Sequence, residues 1–123
     1  MALVLIVDDS PVIRMLLHSV LEKEFNVIEA CCGKDALEII SLRKPAVVIL
    51  DVSMPGGLNG LEVLDIIKSD PAMSETKVIM VTGKEYFEVS HCLRRGATDF
   101  FTKPFRPMDI LNCVKKTLAN ERC

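Results

Sequence analysis

The chain has 123 residues, of which 50% are hydrophobic and 26% charged, and its formal net charge at pH 7 is -2. This composition excludes a disordered chain and predicts one globular domain over residues 1–123, with a tail from about residue 119. The slight excess of acid argues against a nucleic-acid or anionic-membrane partner. No apolar run approaches the ~20 residues of a membrane span, so we expect a cytoplasmic protein.

Five short runs rich in apolar residues predict β-strands. They are Leu3–Val7, Asn26–Ala30, Ala46–Leu50, Lys77–Thr82 and Ala97–Phe101. The first and third contain no polar residue, which is typical of strands buried on both faces of a parallel sheet. An acidic group can then stand only at the end of such a strand, where the sheet meets water.

Apolar residues at helical spacing occupy the segments between and after the strands. The five predicted helices span Pro11–Phe25, Lys34–Arg43, Asn59–Asp70, Tyr86–Leu93 and Pro107–Leu118. Ser10 and Asn59 are suited to cap the first and the third helix. Alternating strands and helices predict an α/β fold in three layers, a flavodoxin-like doubly wound parallel sheet with strand order 2-1-3-4-5. Ligands bind such sheets beyond the carboxyl ends of the strands, at the switch point between strands one and three.

The five cysteines form no Cys-x-x-Cys pair and no Cys/His ligand spacing, and their odd number suits reduced thiols. The adjacent Cys31 and Cys32 have two interpretations. They can be a redox element, or two small buried residues at a strand end, and we favour burial.

Four predicted strands bring polar side chains to the same edge of the sheet. Asp8 and Asp9 follow the first strand, Asp51 the third, Thr82 ends the fourth, and Lys103 follows the fifth. Three neighbouring carboxylates repel one another and require a cation, and oxygen ligands without His or Cys favour Mg²⁺. A carboxylate beside a metal ion, an ammonium and a hydroxyl is suited to accept a phosphoryl group as the nucleophile.

This arrangement resembles the motif set of response-regulator receiver domains of two-component signalling, and in particular the single-domain chemotaxis type. The resemblance rests on four fragments in order, Asp8-Asp9, Asp51 with Met54-Pro55, Thr82-Gly83 and Lys103-Pro104-Phe105, and it spans Leu3 to about Leu118. It implies a phosphoprotein of a phosphorelay rather than an enzyme, with self-catalysed phosphotransfer and autodephosphorylation.

The resemblance also implies a role for each acidic residue. Asp51 is the expected phosphoacceptor, which takes phosphate from a phosphohistidine. Asp9 is expected to bind Mg²⁺ directly and Asp8 mainly through water. Asp51 and the backbone carbonyl of Ser53 are the further metal ligands that the family pattern implies.

A switch and a set of partners follow from the same resemblance. Thr82 and Lys103 are expected to bind phosphoryl oxygens, and Phe100 stands at the position of the family's switch aromatic. Movement of Thr82 and Phe100 would reshape the surface of helix four, strand five and helix five. The implied partners are a sensor histidine kinase or histidine phosphotransfer protein and a downstream effector protein, with this surface also suited to dimerisation. We expect no direct contact with nucleic acid.

The chain departs from the common family pattern in two places. The loop from Met54 to Gly60 is one residue longer than usual, and the segment between Thr82 and Gly96 is one residue shorter. Phe100 also replaces the tyrosine of that pattern, so a switch there works through packing alone.

Three other functions share part of the pattern. A phosphate-independent binding module of the same fold has no need of a mutually repelling acidic cluster. A phosphohydrolase with an aspartate nucleophile usually carries a second acid two residues later, where this chain has Ser53. A flavodoxin has a Ser/Thr/Gly-rich phosphate loop after the first strand, and this chain has none.

Overall fold

A computed structural model describes residues 1–83 and 92–121 of the chain. The strands are β1 (Leu3–Val7), β2 (Asn26–Ala30), β3 (Val47–Asp51), β4 (Lys77–Thr82) and β5 (Asp99–Thr102). The helices are α1 (Pro11–Leu21), α2 (Gly33–Arg43), α3 (Gly60–Ser69) and α5 (Pro107–Glu121). Residues 92–94 are also helical, and we label them α4. Most of the predicted fourth helix lies outside the described residues.

The five strands form one parallel sheet in the order β2-β1-β3-β4-β5, which confirms the predicted flavodoxin-like fold. β1 pairs with both β2 and β3, so the switch point lies between β1 and β3. Val7 is paired with Leu50, and Asp51 with Val81. This register places the residues after Val7 beside Asp51 and Thr82 at the carboxyl edge.

Alternate residues of the central strands contribute to two separate cores, one on each face of the sheet. On one face, Leu5, Val7, Val48 and Leu50 pack with α2 and α3 residues such as Ile40 and Leu64. On the other, Val4, Ile6, Val47 and Ile49 pack with α1 and α5 residues such as Leu17 and Val114. This confirms that β1 and β3 are buried on both faces, as their wholly apolar runs predicted.

Both predicted helix caps are present. The Ser10 hydroxyl accepts a hydrogen bond from the Ile13 N–H, and Pro11 occupies the first turn of α1. Asn59 accepts from the Glu62 N–H while Glu62 accepts from the Asn59 N–H, which forms a capping box at the start of α3. α3 therefore begins at a defined point immediately after the Gly-rich loop.

Several predicted boundaries were wrong, most of all the end of α1, which stops at Leu21 rather than Phe25. β3 includes Asp51, because the next N–H, that of Val52, donates to Val81 and continues the pairing with β4. β5 begins at Asp99 rather than Ala97, whose N–H instead donates to the carbonyl of Cys92 in α4. α5 runs to Glu121, past the start of the predicted tail. Within residues 1–83 and 92–121, no helix has the length and apolar character needed to cross a bilayer.

Candidate functional site

Asp51 ends the most deeply buried strand of the sheet. It is 2% exposed, and Asp8, beyond the end of the neighbouring β1, is 3% exposed. Both carboxylates are out of water because the layers of helices cover the central strands on both faces. The Ser53 N–H donates to Asp51 Oδ1 at 3.3 Å. One carboxylate oxygen of Asp51 is therefore held by the loop that follows it.

The three predicted acidic residues come together at this edge. Carboxylate oxygens of Asp8, Asp9 and Asp51 lie within 4.8 Å of one another, and Asp9 is the exposed member of the group. Asp8 Oδ1 accepts from the Ser10 N–H at 2.9 Å, and the Asp8 carbonyl accepts from Arg14 Nη1 at 2.6 Å. These bonds fix Asp8 at the wall of the pocket, and Asp9 faces the solvent side.

Lys103 reaches the same pocket from the other side. Its Nζ lies 3.4 Å from Asp8 Oδ2 and 3.4 Å from Asp51 Oδ1, and its side chain is 27% exposed. The Lys103 N–H donates to the Thr82 carbonyl at 2.7 Å, which anchors the residue just beyond β5. The predicted convergence of Lys103 with the acids is therefore present in the structure.

The electrostatics of the pocket leave negative charge without full compensation. Burial raises the pKa of Asp51 from its ordinary value of 3.8 to about 6, and the nearby Asp8 carboxylate adds to the rise. The Lys103 ammonium and the Ser53 N–H act in the opposite direction but do not overcome it. A single ammonium is therefore too little positive charge for this pocket.

The donor set fits Mg²⁺. All three side chains offer carboxylate oxygens, which are the ligands that Mg²⁺ prefers, and these oxygens lie close enough together for one ion to contact them. Asp8, Asp9 and Asp51 would hold the ion. The Ser53 side chain is exposed and its N–H faces Asp51. The role of its carbonyl as a ligand stays a prediction.

Thr82 and Phe100 lie beside the pocket on neighbouring strands. Thr82 is fully buried at the end of β4. Phe100 in β5 is half-buried, pairs in register with Met80, and packs against the core on the α2/α3 face of the sheet. The role of these two residues in a switch stays a prediction.

Gly60 is a site residue that the sequence did not reveal. A Cβ at this position would collide with the Asp51 carbonyl oxygen and lie 2.7 Å from Val52 Cα. The Gly60 N–H donates to the Val52 carbonyl at 2.8 Å. In the longer loop, Gly56 has a φ of +80° and lies in open space. The loop therefore turns in the open at Gly56, while α3 starts directly against the backbone of Asp51.

The predicted burial of the adjacent cysteines was wrong. Cys31 is exposed and Cys32 half-buried. β2 is an edge strand, and only Ala30 at its end is buried, so the chain emerges into solvent at Cys31. The two thiols and the Asp35 carboxylate lie within 4.8 Å of one another, a cluster that no ligand spacing in the sequence predicted.

Known proteins share this fold and much of this sequence. The family model of the response regulator receiver domain matches residues 4–115. Protein PilH of Pseudomonas aeruginosa is 37% identical over 97% of this chain and 99% of its own length. Chemotaxis protein CheY of Thermotoga maritima is 33% identical over 92% of this chain and 94% of its own.

Solved structures agree with the sequence comparisons. The receiver domain of a LuxO repressor protein from Vibrio parahaemolyticus has a TM-score of 0.91 and 28% identity, and the match covers 98% of this chain and 92% of that one. The BeF3-activated DrrB receiver domain has a TM-score of 0.87 and 32% identity, with 97% and 98% covered. The chain therefore belongs to the family of response regulator receiver domains.

Proposed function

We propose that this receiver domain accepts a phosphoryl group on Asp51 from a phosphohistidine, in a reaction that requires Mg²⁺. The observation that carries the proposal is the position of the Lys103 ammonium, 3.4 Å from both Asp8 and Asp51 in a pocket of three carboxylates. The phosphodonor is a sensor histidine kinase or a histidine phosphotransfer protein. The output is a contact with an effector protein.

The chemistry follows from the groups at the pocket. An oxygen of Asp51 forms a bond to phosphorus while the P–N bond of the donor breaks, and the donor imidazole keeps the electron pair. Above pH 6 the Asp51 carboxyl is ionised and can act as the nucleophile. Mg²⁺, when bound, neutralises negative charge on the pocket and on the phosphoryl oxygens. The Lys103 ammonium and the Thr82 hydroxyl then bind oxygens of the transferred group.

We propose self-catalysed chemistry rather than turnover of a separate substrate. Asp8 shares the burial at this edge and the contact with Lys103, but its two carboxylate oxygens are bonded to the Ser10 N–H and to Lys103, whereas the Ser53 and Lys103 contacts of Asp51 both fall on Oδ1. Among the relatives, sporulation initiation phosphotransferase F of Bacillus subtilis, 35% identical over 94% of this chain, carries phosphotransfer in its name. The name of the DrrB structure states activation by BeF3, whose shape and charge are those of a phosphoryl group.

The proposed signal is a two-state shift that starts at Thr82. Phosphoryl contacts draw the Thr82 hydroxyl inward, and Phe100 moves into the space beside it. Conversion from a mostly inactive to a mostly active population needs roughly 3–5.5 kcal/mol. Two charge-assisted contacts, from Lys103 and Thr82, supply about 1.5–3 kcal/mol each. The shift changes the surface of α4, β5 and α5, where we place the effector contact and any dimer contact.

The first test is phosphorylation by acetyl phosphate with Mg²⁺, followed by intact mass spectrometry. We expect one added phosphoryl group on the wild type and none on Asp51→Asn. Asp109→Asn, which changes an exposed aspartate on α5 in the same way, serves as the matched control and should be labelled like the wild type. Equal labelling of Asp51→Asn and wild type would contradict the phosphoacceptor assignment.

The second test separates phosphorylation from switching. We expect Phe100→Ala to accept phosphate at the wild-type level but to bind the effector more weakly. In the absence of the effector, the variant should lose the NMR shift changes in β5 and α5 that BeF3 and Mg²⁺ produce in the wild type. Undiminished shift changes would show that Phe100 is only a core residue.

A phosphate-independent binding module is the alternative, and the pocket argues against it. Burial raises the pKa of Asp51, which means that the ionised form of this carboxyl destabilises the fold at neutral pH. A module without phosphate chemistry gains nothing from that arrangement. Failure of acetyl phosphate to label the wild type in Mg²⁺ would favour this alternative.

A further inference from the structure

A second group of potential metal ligands lies at the carboxyl edge, outside the acidic pocket. The Cys31 thiol, the Cys32 thiol and the Asp35 carboxylate lie within 4.8 Å of one another. Cys31 and Asp35 are exposed and Cys32 is half-buried, so an ion from solvent can reach all three. The group belongs to the turn between β2 and α2, and the function proposed above does not use it.

The start of α2 explains why these side chains meet. Cys32 occupies the N-cap of α2 and Asp35 the first turn, the same relation that brings two side chains together in a capping box. Cys32 makes no capping hydrogen bond with its side chain. The N-cap position favours Ser, Thr, Asp or Asn, whose side chains accept hydrogen bonds from the first turn. The Cys32 sulfur has no such role, so it can bind a metal ion.

The surroundings add negative charge. A cavity of about 410 Å³ is lined by Cys31 and Asp35 and by Glu29, Glu38 and Arg14. Arg14 lies 3.0 Å from Glu29 and is largely neutralised by it. Neither Asp35 nor Glu38 has an ion-pair partner within residues 1–83 and 92–121. Glu38 lies three positions after Asp35, on the same face of α2. The cavity therefore attracts a cation, and the Glu38 carboxylate can serve as a fourth ligand.

We propose that Cys31, Cys32 and Asp35 form a binding site for a thiophilic divalent cation such as Zn²⁺ or Cd²⁺, completed by Glu38 or water. A tetrahedral Zn²⁺ site has Zn–S distances of about 2.3 Å and Zn–O distances of about 2.0–2.2 Å. Rotamer changes in the exposed Cys31 and Asp35 side chains would bring their ligand atoms to that spacing around the half-buried Cys32. Two sulfurs select against Mg²⁺, which prefers oxygen ligands, so this site and the acidic pocket take different ions.

Binding involves a proton balance that can be measured. Thiols bind these metals as thiolates, so each of Cys31 and Cys32 releases one proton to solvent when the metal–sulfur bonds form. No oxidant or reductant takes part. A disulfide between the two residues would remove both ligands, so the protein is kept reduced by a phosphine in the experiment.

The test is titration of the reduced full chain with Cd²⁺, followed by the thiolate-to-metal ultraviolet absorption band, with native mass spectrometry for stoichiometry. We expect one Cd²⁺ per chain and proton release in weak buffer. We expect Cys31→Ser and Cys32→Ser each to weaken binding at least about tenfold, since even residues that merely orient ligands contribute 10- to 100-fold. Asp35→Asn should weaken binding while the band of the bound form remains. Excess Mg²⁺ should not remove the band.

Cys113→Ser is the matched control. Its half-buried thiol donates to Asp99 at 3.4 Å, so it too is a cysteine beside an aspartate, but it is in no described ligand cluster. We expect this variant to bind Cd²⁺ like the wild type. Labelling of Asp51 by acetyl phosphate, or an unchanged circular dichroism spectrum if that labelling fails, shows that each variant is folded. An unchanged band in the Cys31→Ser, Cys32→Ser double variant, or its loss in Cys113→Ser, would overturn the proposal.

Discussion

Two ligand clusters occupy the same edge of the sheet, and they are built in opposite ways. The acidic pocket takes Asp8 and Asp9 from the end of β1, Asp51 from the end of β3 and Lys103 from beyond β5. The thiol cluster takes all its members from residues 31–35. The first depends on the tertiary fold, whereas the second depends on one turn and the start of one helix.

The two clusters also differ in how far their side chains are exposed to solvent. Asp8 and Asp51 are almost wholly buried, and Asp51 has a raised pKa as a result. The pocket therefore destabilises the fold at neutral pH until a cation binds. The thiol cluster is open to solvent, so its members remain hydrated without metal. The charge of the acidic pocket therefore changes the free energy of unfolding, because it is buried. The thiol cluster changes it little, because it is exposed.

The largest expected effect comes from removal of the buried charge. Because the folded pKa of Asp51 is about 6 and its ordinary value is 3.8, the folded state holds a proton that the unfolded state has lost between those pH values. Stability in metal-free buffer therefore falls as pH rises from about 4 to 6 and is constant above that range. We expect Asp51→Asn to raise the free energy of unfolding at pH 7.5 by roughly 3 kcal/mol at most.

Urea unfolding at several pH values in the presence of a chelator measures this effect. The gain should vanish below pH 4, where the wild-type carboxyl is protonated in both states. Asp109→Asn, on the surface of α5, should show no such pH-dependent gain. A stability difference between Asp51→Asn and wild type that is the same at pH 3.5 and 7.5 would contradict the assignment to ionised Asp51.

The second largest effect is expected at Gly60, where α3 begins against the backbone of the acidic pocket. Gly60→Ala places a methyl group against the backbone of Asp51 and Val52, which cannot move aside as a flexible side chain can. We expect a loss of about 1–3 kcal/mol in the free energy of unfolding and weaker labelling of Asp51 by acetyl phosphate. Gly83→Ala is the control, because among the residues that the structure describes its methyl group would meet only Lys103 Cβ, at 3.9 Å. Equal stability of the two variants would show that α3 can shift without strain.

The ammonium of Lys103 should have a smaller but specific effect. We expect Lys103→Met to lower stability at pH 7.5 by about 1 kcal/mol, and to lower it less in the Asp51→Asn background. A double-mutant cycle measures this coupling. The exposed pair Lys115–Glu24, with its charged atoms 3.1 Å apart, provides the comparison and should couple by no more than ~0.5 kcal/mol. Coupling of the same size in both pairs would mean that burial does not strengthen the Lys103 contact.

The thiol cluster should give the smallest effect on the metal-free protein. Cys31→Ser replaces an exposed thiol with a hydroxyl of similar shape, so the free energy of unfolding should change by less than ~0.5 kcal/mol. Chemical unfolding with a chelator present checks this. A loss as large as that of Gly60→Ala would show that the turn after β2 is coupled to the fold after all.

The sequence by itself determined the order of the sheet and the membership of the acidic pocket. Wholly apolar strands such as Leu3–Val7 leave polar residues only at their ends, and parallel strands present those ends at one edge. Asp8, Asp9 and Asp51 were therefore predictable from pattern alone. The caps Ser10 and Asn59 were predictable too, because a cap acts within one turn of helix.

Only the tertiary structure decided the contacts made across long distances in sequence. Lys103 follows Asp8 by 95 positions, and its distance from two carboxylates depends on how the whole sheet packs. The approach of Gly60 to Asp51 and the exposure of Cys31 likewise depend on which backbone or edge lies beside them. Local patterns record whether a residue can be buried or can form a turn. They do not record which atoms arrive next to it, and at this edge those atoms set the pKa of Asp51.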